Sequence, residues 1–334
     1  MESPLWTETH RPDVDDLPQA DVRDSLARAI EEPVNLLLQG PPGSGKTAAA
    51  RALARAAHDD PDNDLVVINV ADFFARSKSE ITSDPRFEQF LVGRSDMAKR
   101  DMINHVFKAV ASYAPASGAY KTVLLDNAEA IREDFQQALR RVMERYHRNT
   151  QFVITTRQPT KLIPPIRSRC FPVPVRAPTD AEVVDVLASI ATAESVEYDA
   201  EGLRYLASHA DGDLRRAILA AQTVAERNGP LVGTDVLEPL SNVGTADRVE
   251  SMLADAEAGE FTDARSTLDD LLFDEAFAGE EVLRDLLDAA AARYGAARQA
   301  EIHRLAGEID LAMAEGNEDR VHLSRLLAEI GRTA

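Results

Sequence analysis

Five short apolar runs punctuate the first 175 residues: "VNLLLQ" (34–39), "LVVINV" (65–70), "KTVLLD" (121–126), "QFVITT" (151–156) and "CFPVPV" (170–175). They are nearly continuous rather than alternating, the pattern of strands covered on both faces. Between them, stretches such as "TAAARALARAAH" and "DFQQALRRVMERY" carry apolar residues at helical spacing. Strands alternating with helices predict a parallel α/β sheet. After "RAPTD" (176–180) the strand pattern stops, and Thr179 or Asp180 is placed to cap a helix running into "AEVVDVLASIATAE". Helical stretches follow at 200–209 and 213–227, and "RNGPLVG" (227–233) reads as a linker. From Thr234 onward the chain is helical and acidic, with Gly259, Gly279, Gly295 and Gly316 near the breaks, as helix stops. The expected organisation is an α/β domain over 1–177, a small helical domain over 178–230 and a helical bundle over 231–334. The stretch 71–100 fits this scheme poorly. It is a long connection for a compact domain, and such segments are usually functional or disordered.

Composition bounds the picture without changing it. The 334 residues are 44% hydrophobic, enough for packed cores in two or three domains. No apolar run reaches the roughly 18 residues of a membrane span. The start "MESPLWTETHRP" lacks a basic region followed by an apolar core, so a soluble cytoplasmic protein is expected. A lone cysteine, Cys170, excludes an intrachain disulfide framework and a multi-cysteine zinc site.

Charge is more informative in its distribution than in its total. The net charge is −20, and six of the 37 basic residues are lysine: Lys46, Lys78, Lys99, Lys108, Lys121 and Lys161. Many acids, few lysines and abundant alanine resemble the proteins of salt-loving archaea, which describes the solvent rather than the function. From Met97 to Cys170, however, thirteen Lys/Arg stand against six Asp/Glu. A basic island in an acidic chain points to a polyanionic partner such as nucleic acid. The alternative is that these arginines serve internal ion pairs.

"GPPGSGKT", Gly40 to Thr47, matches G-x-x-x-x-G-K-[ST] in full, after a strand and opening a helix. In that pattern the backbone N–H groups of Gly40, Pro41, Pro42, Gly43, Ser44 and Gly45 (the prolines excepted) curve around a phosphate. Lys46 supplies positive charge to the β- and γ-phosphates, the Thr47 hydroxyl ligates Mg²⁺, and the helix N-terminus favours anions. Asp126, ending a strand about 80 residues later, stands where a second acid assists Mg²⁺. A helix cap is the plainer alternative for that residue.

Several phrases together resemble a known family. "LWTETHRP" is similar to an N-terminal W-x-E-K-Y-R-P, "IRSRC" (166–170) contains Ser-Arg-Cys, and "DGDLRRAILAAQ" (211–222) resembles G-D-x-R-[KR]-A. With the P-loop and the helix "DFQQALRRVMERY", their order resembles the small subunits of archaeal replication factor C, AAA+ sliding-clamp loaders. The resemblance is strong to about residue 227 and only architectural beyond it. It implies an AAA+ P-loop NTPase sheet domain, a helical lid and a helical collar, with ATP and Mg²⁺ bound between neighbours in a ring of five. It implies that Arg11 helps hold nucleotide, that Arg215 is a second sensor reaching this chain's own ATP, and that Arg169 acts in trans on a neighbour's γ-phosphate. Implied partners are other replication factor C subunits in a hetero-pentamer, a sliding clamp and primer–template DNA, with no membrane. Other readings within the AAA+ class are a fully active clamp-loader subunit and a Holliday-junction helicase subunit; the helical, acidic tail disfavours the latter.

Two positions depart from the pattern. The family's D-E-A-D is here Asp126-Asn127-Ala128-Glu129, and the first sensor, usually asparagine, is Arg157. Asn127 can hydrogen-bond water but cannot take its proton, and losing a general base costs typically about 10²–10⁴-fold. Glu129 is expected at a helix start, aimed elsewhere. The resemblance thus implies a chain that binds ATP, hydrolyses it slowly or not at all, and donates Arg169. For DNA, Lys161 and Lys108 match family lysines, and Lys99 and Arg100 are candidates by charge. Phe73, Phe74, Phe87 and Phe90 in the long connection either touch the clamp or pack the segment onto its own domain.

Overall fold

Leu36 and Leu38 face one side of a sheet and Leu37 the other, and all three are buried. That two-sided burial is the physical reason the strand runs lack alternation. The computed structural model describes residues 5–75, 78–83, 91, 97–116, 118–236, 245–274, 279–315 and 319–332. The strands are β1 (Leu36–Gln39), β2 (Leu65–Asn69), β3 (Lys121–Asp126), β4 (Thr150–Thr156) and β5 (Phe171–Pro174). They form one parallel sheet in the order β2-β3-β4-β1-β5. On one face Leu36, Leu38, Leu124 and Val153 pack with Val22, Leu26 and Leu53; on the other, Leu37, Ile68, Leu125 and Ile154 pack with Ile103, Phe107 and Leu139.

The chain divides into two compact units, Met1–Thr234 and Asp235–Ala334. In the first, helices Asp180–Ala193, Ala200–Ala210 and Leu214–Asn228 follow the sheet. Thr179 caps the first of them in a reciprocal box with Glu182, and Arg176 grips the same carboxylate with two bonds of 2.7 Å. Trp6 is buried near the last helix, and its backbone N–H donates to Gln222 Oε1 at 2.8 Å. The second unit packs helices Thr245–Glu257, Phe261–Asp269, Gly279–Arg293, Ala296–Glu315 and Asp319–Arg332 around Leu253, Leu268, Leu286, Ile302 and Leu326.

Two expectations are corrected, and one open alternative is decided. Residues 227–233 are not a free linker: the helix continues to Asn228, Leu231 is fully buried, and its carbonyl accepts from Asp199 N–H. The apolar leucine between two glycines supplies the burial that the linker reading overlooked. Gly279 opens a helix rather than ending one, whereas Gly259 and Gly295 do follow helices; Gly316 lies outside the described residues. In the long connection, the chain turns into helices Val70–Ala75 and Lys78–Ser83. Phe73 is buried against Phe107, and Phe74 meets Phe135 edge-on with ring centroids 4.8 Å apart. These two aromatics therefore pack their own domain and are not a clamp-facing pair. Phe87 and Phe90 lie outside the described residues. Among the described residues no helix is long and apolar enough to cross a membrane.

Candidate nucleotide site

The parallel register brings the carboxyl ends of β1, β3 and β4 together, where open α/β sheets bind ligands. Gln39 lies beside Thr156, and Leu125 beside Ile154. Gly40 to Gly45 then turn from β1 into the helix Lys46–Ala57. Gly43 and Gly45 have φ of 64° and 93°, a left-handed backbone that side chains disfavour. The turn is pinned from outside by buried Gln19, whose Nε2 donates to Ser44 O at 3.0 Å and Arg176 O at 2.8 Å. Ser44 Oγ donates to Pro41 O at 2.9 Å and Lys46 Nζ to the same carbonyl at 2.5 Å.

Lys46 is buried, which pushes its ammonium below its ordinary pKa. The carboxylates of Glu129, Asp126 and Asp213 draw it back up, while Arg157 lowers it further. An ammonium at the head of a helix, beside the left-handed turn at Gly43 and Gly45, fits a polyphosphate. Thr47 Oγ1 donates to Asp126 Oδ1 at 2.7 Å, and Thr155 Oγ1 donates to the same oxygen at 2.5 Å. One hydroxyl and one carboxylate side by side suit Mg²⁺, which prefers few protein oxygens and completes its shell from phosphates and water. The residues therefore fit ATP with Mg²⁺: Lys46 meets phosphate charge, and Thr47 and Asp126 would hold the metal.

Asn127 adopts φ 57° and ψ 50°, left-handed for a residue with a side chain, and its N–H donates to Thr155 Oγ1 at 3.1 Å. Asparagine is among the few residues that enter this region readily. Glu129 sits in the single 3₁₀ turn Ala128–Ala130, not at the start of the following helix, Glu133–Tyr146. Its carboxylate turns back to the sheet. Oε2 accepts from Thr156 Oγ1 at 2.8 Å and Arg157 N at 3.3 Å, and Oε1 accepts from Arg157 Nε at 2.9 Å. Burial pushes this acid up, but the hydrogen bonds from Arg157 and Thr156 win and hold it below the usual carboxylate range. The expectation that Glu129 aims away from the site is thus corrected: it shares the carboxyl edge of the sheet with Asp126.

The small helices reach the loop through Asp213. Leu214 N donates to Gly43 O at 3.1 Å, and Asp213 caps the helix Leu214–Asn228 through Arg216 N at 2.9 Å. A Cβ placed on Gly43 would lie 2.0 Å from Asp213 Oδ1. Arg215 is exposed in the first turn of that helix, next to this contact. Arg11 is exposed on the N-terminal segment, and its Nε donates to Glu8 O at 2.9 Å.

Arg169 lies apart from these residues, between the short helix Pro164–Arg167 and β5. Its guanidinium donates to Pro165 O at 2.6 Å and to Glu144, which also accepts from Arg140 Nε at 3.0 Å. Of the basic island, Lys108 and Lys161 are exposed. Lys99 Nζ donates to Phe74 O at 2.8 Å, and Arg100 lies 3.4 Å from Asp134. Lys121 is buried, donates to Tyr113 O at 2.5 Å and stands over the Tyr113 ring. Much of the island is therefore internal pairing, the alternative left open by its charge count.

Sequence reasoning missed Gln19, Thr155, Thr156 and Asp213 as parts of this site. The adjacent threonines ending β4 were the available signal, since β4 is flanked by the P-loop strand and the acid strand.

Two family models match the chain: the ATPase family associated with various cellular activities (AAA) over residues 36–175, and the replication factor C C-terminal domain over residues 245–329. A replication factor C small subunit from Halobacterium salinarum is 30% identical over 99% of this chain and 97% of its own length. One from Archaeoglobus fulgidus is 30% identical over 99% of this chain and 98% of its own. Among solved structures, a single-site variant of RuvB from Thermotoga maritima superposes with a TM-score of 0.54 at 17% identity, over 78% of this chain and 87% of that one, a likeness of fold alone. With full-length relatives on one side and both halves matched on the other, the chain belongs to the replication factor C small-subunit family, an AAA ATPase domain followed by a replication factor C C-terminal helical domain.

Proposed function

We propose that this chain is an ATP-binding subunit of a clamp loader, which opens a sliding clamp and places it on primer–template DNA. Its own site binds ATP and Mg²⁺ through Lys46, Thr47 and Asp126, with Arg11 and Arg215 contributing, and hydrolyses slowly or not at all. It donates Arg169 to the γ-phosphate site of a neighbouring subunit in a hetero-pentamer. Within it, 1–177 forms the ATPase domain, 178–230 the lid and 231–334 the oligomerising collar. Lys161 and Lys108 meet DNA phosphates, with Lys99 and Arg100 adding charge nearby, and the machine works in the cytoplasm.

The observation that carries this reading is the pairing of an intact phosphate and metal edge with Asn127 beside it. Thr47 and Asp126 are hydrogen-bonded, while the residue following the acid is an amide that cannot accept a proton. Arg169 is half-buried and pairs with Glu144 rather than with any residue around Lys46, which supports action on another subunit. Trans arginines of this kind are worth about 10³–10⁵ in rate.

Single-turnover hydrolysis in assembled complexes tests both halves. Lys46→Ala is expected to spare most of the complex's turnover, and Arg169→Ala to lower it strongly. A Lys46→Ala complex that loses most turnover while other sites still bind nucleotide would overturn slow hydrolysis here. An Arg169→Ala complex with normal turnover would overturn the trans role.

A further inference from the structure

We infer that Glu144 is a positioning residue for Arg169: it holds the guanidinium in place before a neighbouring subunit's nucleotide meets it. This deepens the reading that Arg169 acts in trans, and rests on it. The backbone at Arg169 is already fixed by the sheet. Asn35, just before β1, donates from Nδ2 to Arg169 O at 3.2 Å and accepts at Oδ1 from Phe152 N at 2.9 Å. Its own carbonyl accepts from Phe171 N at 2.7 Å, and Arg169 N donates to Ile166 O at 3.0 Å. What the backbone does not set is the direction of a long side chain.

Two acceptors set that direction. Nη1 donates to Pro165 O at 2.6 Å, and Nη2 donates to Glu144 Oε1. Pro165 lies four residues before Arg169, so that bond alone ties the side chain to its own loop. Glu144 comes from a different element, the last turn of the helix Glu133–Tyr146. Arg140, one turn earlier on that helix, donates from Nε to the same carboxylate oxygen at 3.0 Å. The acid is thus restrained by its own helix and reaches across to the loop that carries Arg169. The hydrogen bond from Arg140 and the charges of both arginines hold Glu144 below the usual carboxylate range, so it stays ionised at neutral pH.

The arrangement suits a contact made to another molecule. The Arg169 side chain is 33% exposed and that of Glu144 is 38% exposed. Ion pairs this open add little to stability, so bracing the fold is a weak reason for this one. For a reaction the gain is larger. An arginine side chain has much rotamer freedom, and ordering it beforehand removes that cost from the transition state. A guanidinium has five N–H donors, so the bonds to Pro165 and Glu144 leave others for phosphate oxygens. Were Glu144 instead a competitor that withholds Arg169 from phosphate, its removal would speed the reaction.

Single-turnover hydrolysis in assembled complexes, measured across ATP concentrations, tests this. Glu144→Ala is expected to lower the maximal rate by about tenfold, the size of one hydrogen bond to a charged group, and to leave the half-saturating ATP concentration unchanged. Glu144→Gln keeps an acceptor and is expected to recover part of the rate. Adding Glu144→Ala to Arg169→Ala is expected to cost nothing further, because both act through one guanidinium. A normal or raised rate in Glu144→Ala overturns the inference while the trans role of Arg169 stands. So does a loss of the same size in the Arg169→Ala background, or a loss confined to ATP affinity, since either marks a brace for the fold. A normal rate in Arg169→Ala overturns both.

Discussion

Thr47 Oγ1 donates to Asp126 Oδ1 at 2.7 Å, joining two residues 79 positions apart at the head of the P-loop helix. The contact fixes the acid beside the hydroxyl before any metal arrives. Thr155 reinforces it from β4 through the same carboxylate oxygen.

That geometry predicts the effect of Asp126→Asn. The amide is isosteric and can still accept from Thr47, so the local structure should persist. The charge that attracts Mg²⁺ is gone. Magnesium-dependent ATP affinity should fall by about tenfold or more, while binding measured in excess chelator should change little. Calorimetry with and without chelator checks this.

Asn127 offers a converse experiment. Asn127→Glu restores a proton acceptor next to Asp126, and a general base is worth about 10²–10⁴ in rate. The backbone at φ 57° resists the change, at a cost of about 1 kcal/mol or more for a residue longer than asparagine. The expected outcome is faster single-turnover hydrolysis together with a lower melting temperature. Unchanged turnover in a folded variant would place the lost step elsewhere.

Gly43→Ala should be more damaging than the neighbouring loop suggests. A Cβ there would lie 2.0 Å from Asp213 Oδ1 and would also sit at φ 64°. The helix cap at Asp213 must then shift away from the loop. Both thermal stability and ATP affinity should drop. Combining Gly43→Ala with Asp213→Ala should cost less than the sum of the two single changes, because the collision is relieved once.

Lys121 gives a pH dependence of defined sign. Burial lowers its pKa from 10.5 to about 8, against the raising influence of Asp64. The unfolded chain therefore binds more protons than the folded one between about pH 8 and 10.5, and this residue's contribution to stability improves as pH rises through that window. Melting temperatures of the unaltered chain and of Lys121→Met, compared across about pH 7 to 10, isolate it. The stability of the unaltered chain relative to the variant should rise with pH.

The sequence by itself determined the parallel sheet, the phosphate loop and the change to helices after Asp180. Each is written locally: unbroken apolar strands, a glycine pattern between a strand and a helix, and a threonine cap followed by helical spacing. Asp126 and Asn127 were legible for the same reason, because they end a strand in a fixed relation to that loop. What only the tertiary structure decided is how distant residues share charge. Glu129 read as aimed away because its neighbours in sequence are helical, yet a single 3₁₀ turn brings its carboxylate to Thr156 and Arg157 on the adjacent strand. Asp213 belongs to a helix far along the chain from Gly43 and meets it only because that helix docks on the loop, a contact no local pattern encodes. Part of the basic island is paired within the fold in the same way: strand pairing buried Lys121, and helix packing set Arg100 beside Asp134 and Arg169 beside Glu144. Charge counted along a chain is additive, whereas charge in a fold depends on which partners three dimensions bring within a few ångströms.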